Sequence, residues 1–167
     1  MKIKLLILSL CVLCLTSASQ KKKKRTIDDL GRAVFEMLQT NNLDGLEKIV
    51  LNEKQYLKVI DGYRNDDQEK ERYKDEALSR LQKRDVEVKS SFNEIRNLGE
   101  EDSVNWGNAL YSMSKETITS RDGVDKCYVE VSIFYQSTAY KVMIPEVIKF
   151  DEGWYYGFRK LRWMGQQ

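Results

Sequence analysis

From Thr26 onward, apolar side chains recur three and four residues apart: Leu30, Val34, Met37 and Leu38, with Ala33 and Phe35 widening the stripe. That spacing predicts an amphipathic helix opened by a Thr26 or Asp28 cap. Thr40-Asn41-Asn42 breaks it. Leu43 to Leu51 reads as a second short helix, and Asn52 to Ile60 as a third, capped by Asn52 and released at Gly62. Residues 65 to 98 are dense in charge, yet Tyr73, Ala77, Leu81, Val88, Phe92 and Ile95 fall along one side, so a long one-sided helix is expected. Its plain reading is packing on its own domain. A coiled-coil partner is the alternative.

After Gly99 the period shortens from near four to two. Twelve of the seventeen aromatics lie between Val104 and Gln167, mixed with β-branched residues, which is the composition of strands. Four strands are predicted: Asn105 to Thr119, Lys126 to Tyr135, Ala139 to Phe150 and Trp154 to Arg162. Arg121-Asp122-Gly123, Gln136-Ser137-Thr138 and Asp151-Glu152-Gly153 supply the turns of a simple meander. In the second strand Cys127, Val129, Val131 and Ile133 form a core face, opposed by Tyr128, Glu130, Ser132 and Phe134. Tyr140, Val142 and Ile144 alternate with Lys141 and Met143 in the third. Pro145 predicts a bulge or bend there, after which Val147 and Ile148 are both apolar. Helices first and strands afterwards imply an α+β fold: N-terminal helices packed on one face of a curved four-stranded antiparallel meander sheet.

The first 25 residues follow a different rule. Lys2 and Lys4 precede an apolar run from Leu5 to Leu15 and the small residues Thr16 to Ser19, the layout of a secretory signal peptide over 1–19 with Gln20 as the new N-terminus. The run is shorter than the roughly 20 residues a membrane-spanning helix needs. No transmembrane span is therefore expected in the mature chain, and export to a periplasm or the extracellular space is. A lipid anchor on Cys11 or Cys14 is disfavoured, because Leu10 and Leu13 stand where a small residue is wanted. Lys21 to Arg25 then place five positive charges after the apolar run, against the usual charge bias of translocated segments. Residues 20–25 read as a basic, solvated leader to a single domain over 26–163. Its functional reading is attachment to anionic lipid, polysaccharide or nucleic acid. Without interleaved aromatics it has no stacking platform, so nucleic acid is not expected.

The chain has 28 basic and 26 acidic residues and no histidine. Lacking imidazole, it excludes histidine triads, histidine-ligated zinc or haem and the ordinary neutral-pH switch. Export would leave Cys127 as the single thiol, so no intramolecular disulfide is available and the fold must rest on its core. The plain reading of Cys127 is a small core hydrophobe.

The opening helix, the short Asn-Leu-Asp-Gly-Leu segment (42 to 46) and a closing meander with an Asp-Glu-Gly-Trp-Tyr turn (151 to 155) resemble the NTF2-like (SnoaL-like) superfamily, nearest its small exported proteins of Bacteroidota, mostly without assigned function. The resemblance covers nearly all of 27 to 162 at the level of pattern. It implies a sheet curled around a pocket closed by helices. Family enzymes such as ketosteroid isomerase and scytalone dehydratase place acids, tyrosines or histidines in that cone, but none of their catalytic residues aligns here, and the long 65–98 helix departs from the family's compact third helix.

Candidate chemistry is therefore sparse. Tyr128, Glu130 and Tyr140 are the pocket candidates: Glu130 either faces solvent or enters the pocket beside Tyr128, where a carboxylate and a tyrosine donor could move a proton. Asp61 to Asp67 holds three acids and an amide but lacks calcium-loop spacing, so no metal is expected there. In Trp154 to Trp163 alternate aromatics go inward, leaving Trp163 and Arg162 as interface candidates. These features favour an exported, non-catalytic binding or interaction protein without a cofactor. Its partner would be a small apolar ligand or a protein, and a homodimer is open. The alternative is a small isomerase-like or dehydratase-like enzyme using a pocket carboxylate and tyrosines.

Overall fold

The computed structural model describes residues 24–63, 67–119, 124–157 and 159–167. The expected signal, most of the basic leader, Asn65 and Asp66 of the acidic loop, the Arg121-Asp122-Gly123 turn and Phe158 lie outside the described residues.

Helix α1 (Ile27–Thr40) opens as its sequence dictates. The Thr26 hydroxyl accepts from the Asp29 backbone N–H at 3.0 Å while the Asp29 carboxylate accepts from the Thr26 N–H at 3.0 Å, a reciprocal cap. It ends where Asn41 turns left-handed. The second helix is shorter than predicted. Gly45 takes a φ of 95°, so Leu43 to Gly45 form a turn and only Leu46–Ile49 is helical (α2). Helix α3 (Glu53–Tyr63) begins with Asn52 and Gln55 exchanging side-chain-to-backbone hydrogen bonds at 2.9 and 3.0 Å. Helix α4 (Asp67–Glu101) runs 35 residues, about 52 Å of axial length at 1.5 Å per residue.

The strands are β1 (Leu110–Ile118), β2 (Lys126–Tyr135), β3 (Thr138–Phe150), β4 (Gly153–Tyr156) and β5 (Arg162–Gln166), in one antiparallel sheet of order β1-β2-β3, with β4 and β5 both pairing β3. The expected first strand starts five residues late. Asn105 and the short 3₁₀ turn Trp106–Asn108 precede it, because Trp106 is drawn into the core and donates its indole N–H to the Arg96 carbonyl at 3.0 Å.

The predicted fourth strand is two strands. β4 pairs Val147 to Phe150 and β5 pairs Tyr140 to Met143, while the chain between them leaves the ladder and returns. The cause lies across the gap. β3 carries its bulge at Pro145, between the pairs Cys127↔Val147 and Val129↔Ile144, and proline offers no N–H. The neighbouring chain therefore detours, anchored by buried Leu161 and by the Tyr156 hydroxyl donating to the Arg159 carbonyl at 2.5 Å.

The main core lies between the sheet and helices α1 and α4. Leu30, Val34 and Leu38 meet Val129, Val131, Ile133, Val142 and Ile144, and α4 adds Val88, Phe92 and Ile95. At Gly31 a Cβ would fall 1.8 Å from the Ser114 Oγ and 2.9 Å from its Cβ, so glycine lets α1 sit directly on β1. Arg96 donates through Nη1 to the Leu38 carbonyl, joining α4 to the end of α1.

Two features depart from helices on a single face above a separate leader. Val59 of α3 packs with Leu51 on Ile148, whose neighbour Val147 belongs to the main core, so this small second core lies on the other side of the sheet. Arg25, expected in the solvated leader, bridges Gly153 in parallel, with hydrogen bonds from its N–H to the Glu152 carbonyl (3.0 Å) and from the Trp154 N–H to its own carbonyl (3.1 Å). Gly153 has a φ of 125°, and a Cβ there would lie 2.4 Å from the Arg25 backbone. The turn therefore requires glycine.

Candidate interaction surface

Register fixes which residues share the face turned away from the main core. Leu110 pairs Phe134, which pairs Ala139; Met113 pairs Ser132, which pairs Lys141; Lys115 pairs Glu130, which pairs Met143 beside Arg162; Thr117 pairs Tyr128. A bulge between Tyr111 and Met113 keeps Met113 on this face. On this face α3 covers Ile148, the partner of Lys126, whereas Met113, Lys115, Thr117 and Phe134 are exposed. The outward positions of a half-exposed antiparallel sheet are ordinarily polar. Here Leu110 is 68%, Met113 55% and Phe134 42% exposed, and they are neighbours. Charge borders them: Lys115 is exposed, Glu130 and Lys141 form an ion pair at 3.1 Å, and Arg162 is exposed. The far side of β1 has no strand partner among the described residues, leaving backbone donors and acceptors beside the apolar row.

The pocket candidates are not brought together. Tyr128 and Glu130 lie on the open face, and the Glu130 carboxylate is held by Lys141. Tyr140 is buried on the opposite face, with its hydroxyl donating to the Asp102 carbonyl at 3.3 Å. The helix-covered side is filled by fully buried valine, leucine and isoleucine where a cone would need space. The interface candidates also separate. Arg162 is on the open face, whereas Trp163 faces inward, its ring 5.7 Å from Tyr140 and 5.8 Å from Trp106, and its indole N–H donates to Asp102 at 2.6 Å. Trp163 is half-buried and closes β5 onto the end of α4.

Cys127 is a buried free thiol, and burial, with Glu116 nearby, pushes it up to about 12. Burial also pushes Tyr111 up to about 12, aided by its hydrogen bond to Asp28. Asp61, from the acidic loop, pairs with Lys74 at 3.5 Å. No group of three or more metal-ligating side chains occurs among the described residues, and no described helix is long and apolar enough to cross a membrane.

The apolar row on the open face was missed in the sequence because alternation assigned Phe134 to the outward set without marking it as part of a patch. Register supplies what was lacking: it sets Leu110 and Met113, from a different strand, beside it.

No protein-family model matches this chain, and comparison with curated proteins and with solved structures finds no similar one.

Proposed function

We propose that this is an exported, non-catalytic interaction protein that receives a protein partner on the open face of its sheet. The observation that carries the reading is the contiguous outward row of Leu110, Met113 and Phe134, bordered by Lys115, the Glu130–Lys141 pair and Arg162. An apolar centre inside a charged rim is the composition of an association surface. The signal-like N-terminus supports export. The order of helices followed by an antiparallel sheet supports an NTF2-like origin for the scaffold. The dehydratase-like alternative draws no support from Tyr128, Glu130 and Tyr140, which lie on two faces.

The test is a photo-crosslinker at Met113 in the exporting cell, with one at the exposed helix position Glu94 as control. The expected result is an adduct at 113, absent at 94, and lost when Phe134→Glu is added. Equal adducts at both positions, or indifference to Phe134→Glu, would refute the surface. An adduct of twice the protein's mass identifies a second copy as the partner.

A further inference from the structure

We infer that the free edge of β1 takes up an extended segment of the partner protein as an added antiparallel strand. The inference deepens the sheet-face reading and rests on it for the partner being a protein. The Thr119 N–H donates to the Lys126 carbonyl at 2.7 Å, and the register from Met113 to Ile118 runs on from that pair without a break. Antiparallel ladders alternate, so Met113, Lys115 and Thr117 turn their backbone groups toward β2, whereas Ser114, Glu116 and Ile118 turn theirs outward. Among the described residues no hydrogen-bond partner meets those outward groups. An alternating row of amide donors and carbonyl acceptors is matched by another extended backbone.

The same stretch is bare on both faces. Lys115 and Thr117 on the open face and Glu116 and Ile118 on the inner one are exposed, Ile118 at 64%, so this half of β1 is held by its pairing with β2. Beside it a cleft of about 470 Å³ opens between Ser114, Glu116, Ile27 and Trp154, which gives room to the inner side chains of an arriving strand.

Charge defines the occupant. Lys115 and Glu116 are adjacent, point to opposite faces and have no ion-pair partner among the described residues; Glu130, across the ladder from Lys115, is held by Lys141 at 3.1 Å. A strand with an acid opposite Lys115 and, next to it, a base opposite Glu116, set between apolar residues for Met113 and Ile118, satisfies both charges and fixes the register. A second copy fits worse. A two-fold axis pairs residues of one face, so the fullest overlap, centred on Glu116, sets Glu116 against Glu116, and the adjacent one sets Lys115 against Lys115. Like charges directly opposite are destabilising. The edge therefore discriminates against its own copy and in favour of a complementary segment.

The probe is the acetylated, amidated peptide Val-Thr-Lys-Glu-Thr-Val, which sets these side chains opposite Ile118 to Met113 in antiparallel register. Amide exchange of the labelled protein, followed by NMR as peptide is added, is expected to slow at Ser114, Glu116 and Ile118, by about tenfold at nine-tenths occupancy. N-methylation of the peptide's first, third and fifth residues, whose N–H groups face β1, should abolish the effect, and methylation of the alternate residues should leave it. Exchanging Lys and Glu in the peptide should weaken binding by about tenfold. Glu116→Pro removes an outward N–H without touching the β2 ladder and should abolish binding, with a melting curve to confirm the fold. No slowing, or slowing indifferent to which amides are methylated, overturns the added strand. Slowing that grows with protein concentration in the absence of peptide places a second copy there and also overturns it. The two readings fail separately: an adduct at Met113 that survives Glu116→Pro overturns the added strand alone, whereas an adduct indifferent to Phe134→Glu, with peptide protection intact, overturns the face alone.

Discussion

Cys127 shows how a small side chain acquires its properties from its place in a strand. At 1% exposure, with Val129 and Val131 following it along the same face, the thiol has neither water nor cation to favour its thiolate. Its folded value of about 12 lies above the ordinary thiol value of 9.0. Both states hold the proton below pH 9, so the contribution to stability is complete there. Above pH 9 the unfolded chain ionises first, and stability falls as pH rises toward 12, by about 1.4 kcal/mol per pH unit from this group. Urea unfolding of wild type and Cys127→Ala from pH 8 to 11 should show the extra slope in the wild type, with identical slopes refuting it. A thiol reagent at pH 8 should label Cys127 in urea and leave the native protein unlabelled. The core role of this residue was legible from alternation. That of Trp163 was not, because the detour at 157–161 resets the register, and its partner Asp102 is 61 residues away.

At the scale of elements, α4 joins two environments. From Val88 to Ile95 it is core, whereas Val86 is 72% exposed, and the region before it is charged and lies beside α3. Lys74 illustrates this half: hydrogen bonding to Glu71 and the charge of Asp61 raise its pKa, yet both pairs are at the surface. Surface pairs add little stability. Phe92→Ala should cost about 3–5 kcal/mol and Val86→Ala about 0.5 kcal/mol or less in denaturant unfolding. Amide exchange should be faster over residues 70–82 than over 88–98, a local opening that leaves the sheet intact. Equal protection would mean that the helix opens as one unit. Sequence periodicity located this helix to within a few residues at each end, since one-sided spacing over nine turns is hard to mistake. The brevity of α2 was hidden because Leu43 and Leu46 fit a helix equally well until Gly45 takes its left-handed conformation.

For the molecule as a whole, the α+β class was legible from the change of period at Gly99, and the β2 boundaries were read correctly from strict alternation. What stayed hidden were relations between distant segments: the return of α3 to the second face, and the pairing of β5 beside Tyr140 to Met143. That pairing makes the final strand part of the core's closure, with Trp163 against Tyr140 and Trp106. Trp163→Ala should lower stability by about 2 kcal/mol, roughly half the cost of a fully buried tryptophan, as measured by thermal or urea unfolding. A change within a few tenths of a kcal/mol would show that the end of α4 is secured by other contacts.

The bridges Arg25↔Gly153 and Val50↔Tyr156 couple the segments flanking the first two helices to β4, more than a hundred residues later. During synthesis the first helices emerge more than a hundred residues before these partners exist. Their apolar stripes stay uncovered meanwhile, so a chain still being synthesised would lack its closing contacts until the strands from Lys126 onward are delivered. Delayed closure of this kind transfers the burden of preventing aggregation to whatever escorts the nascent chain before its strands emerge.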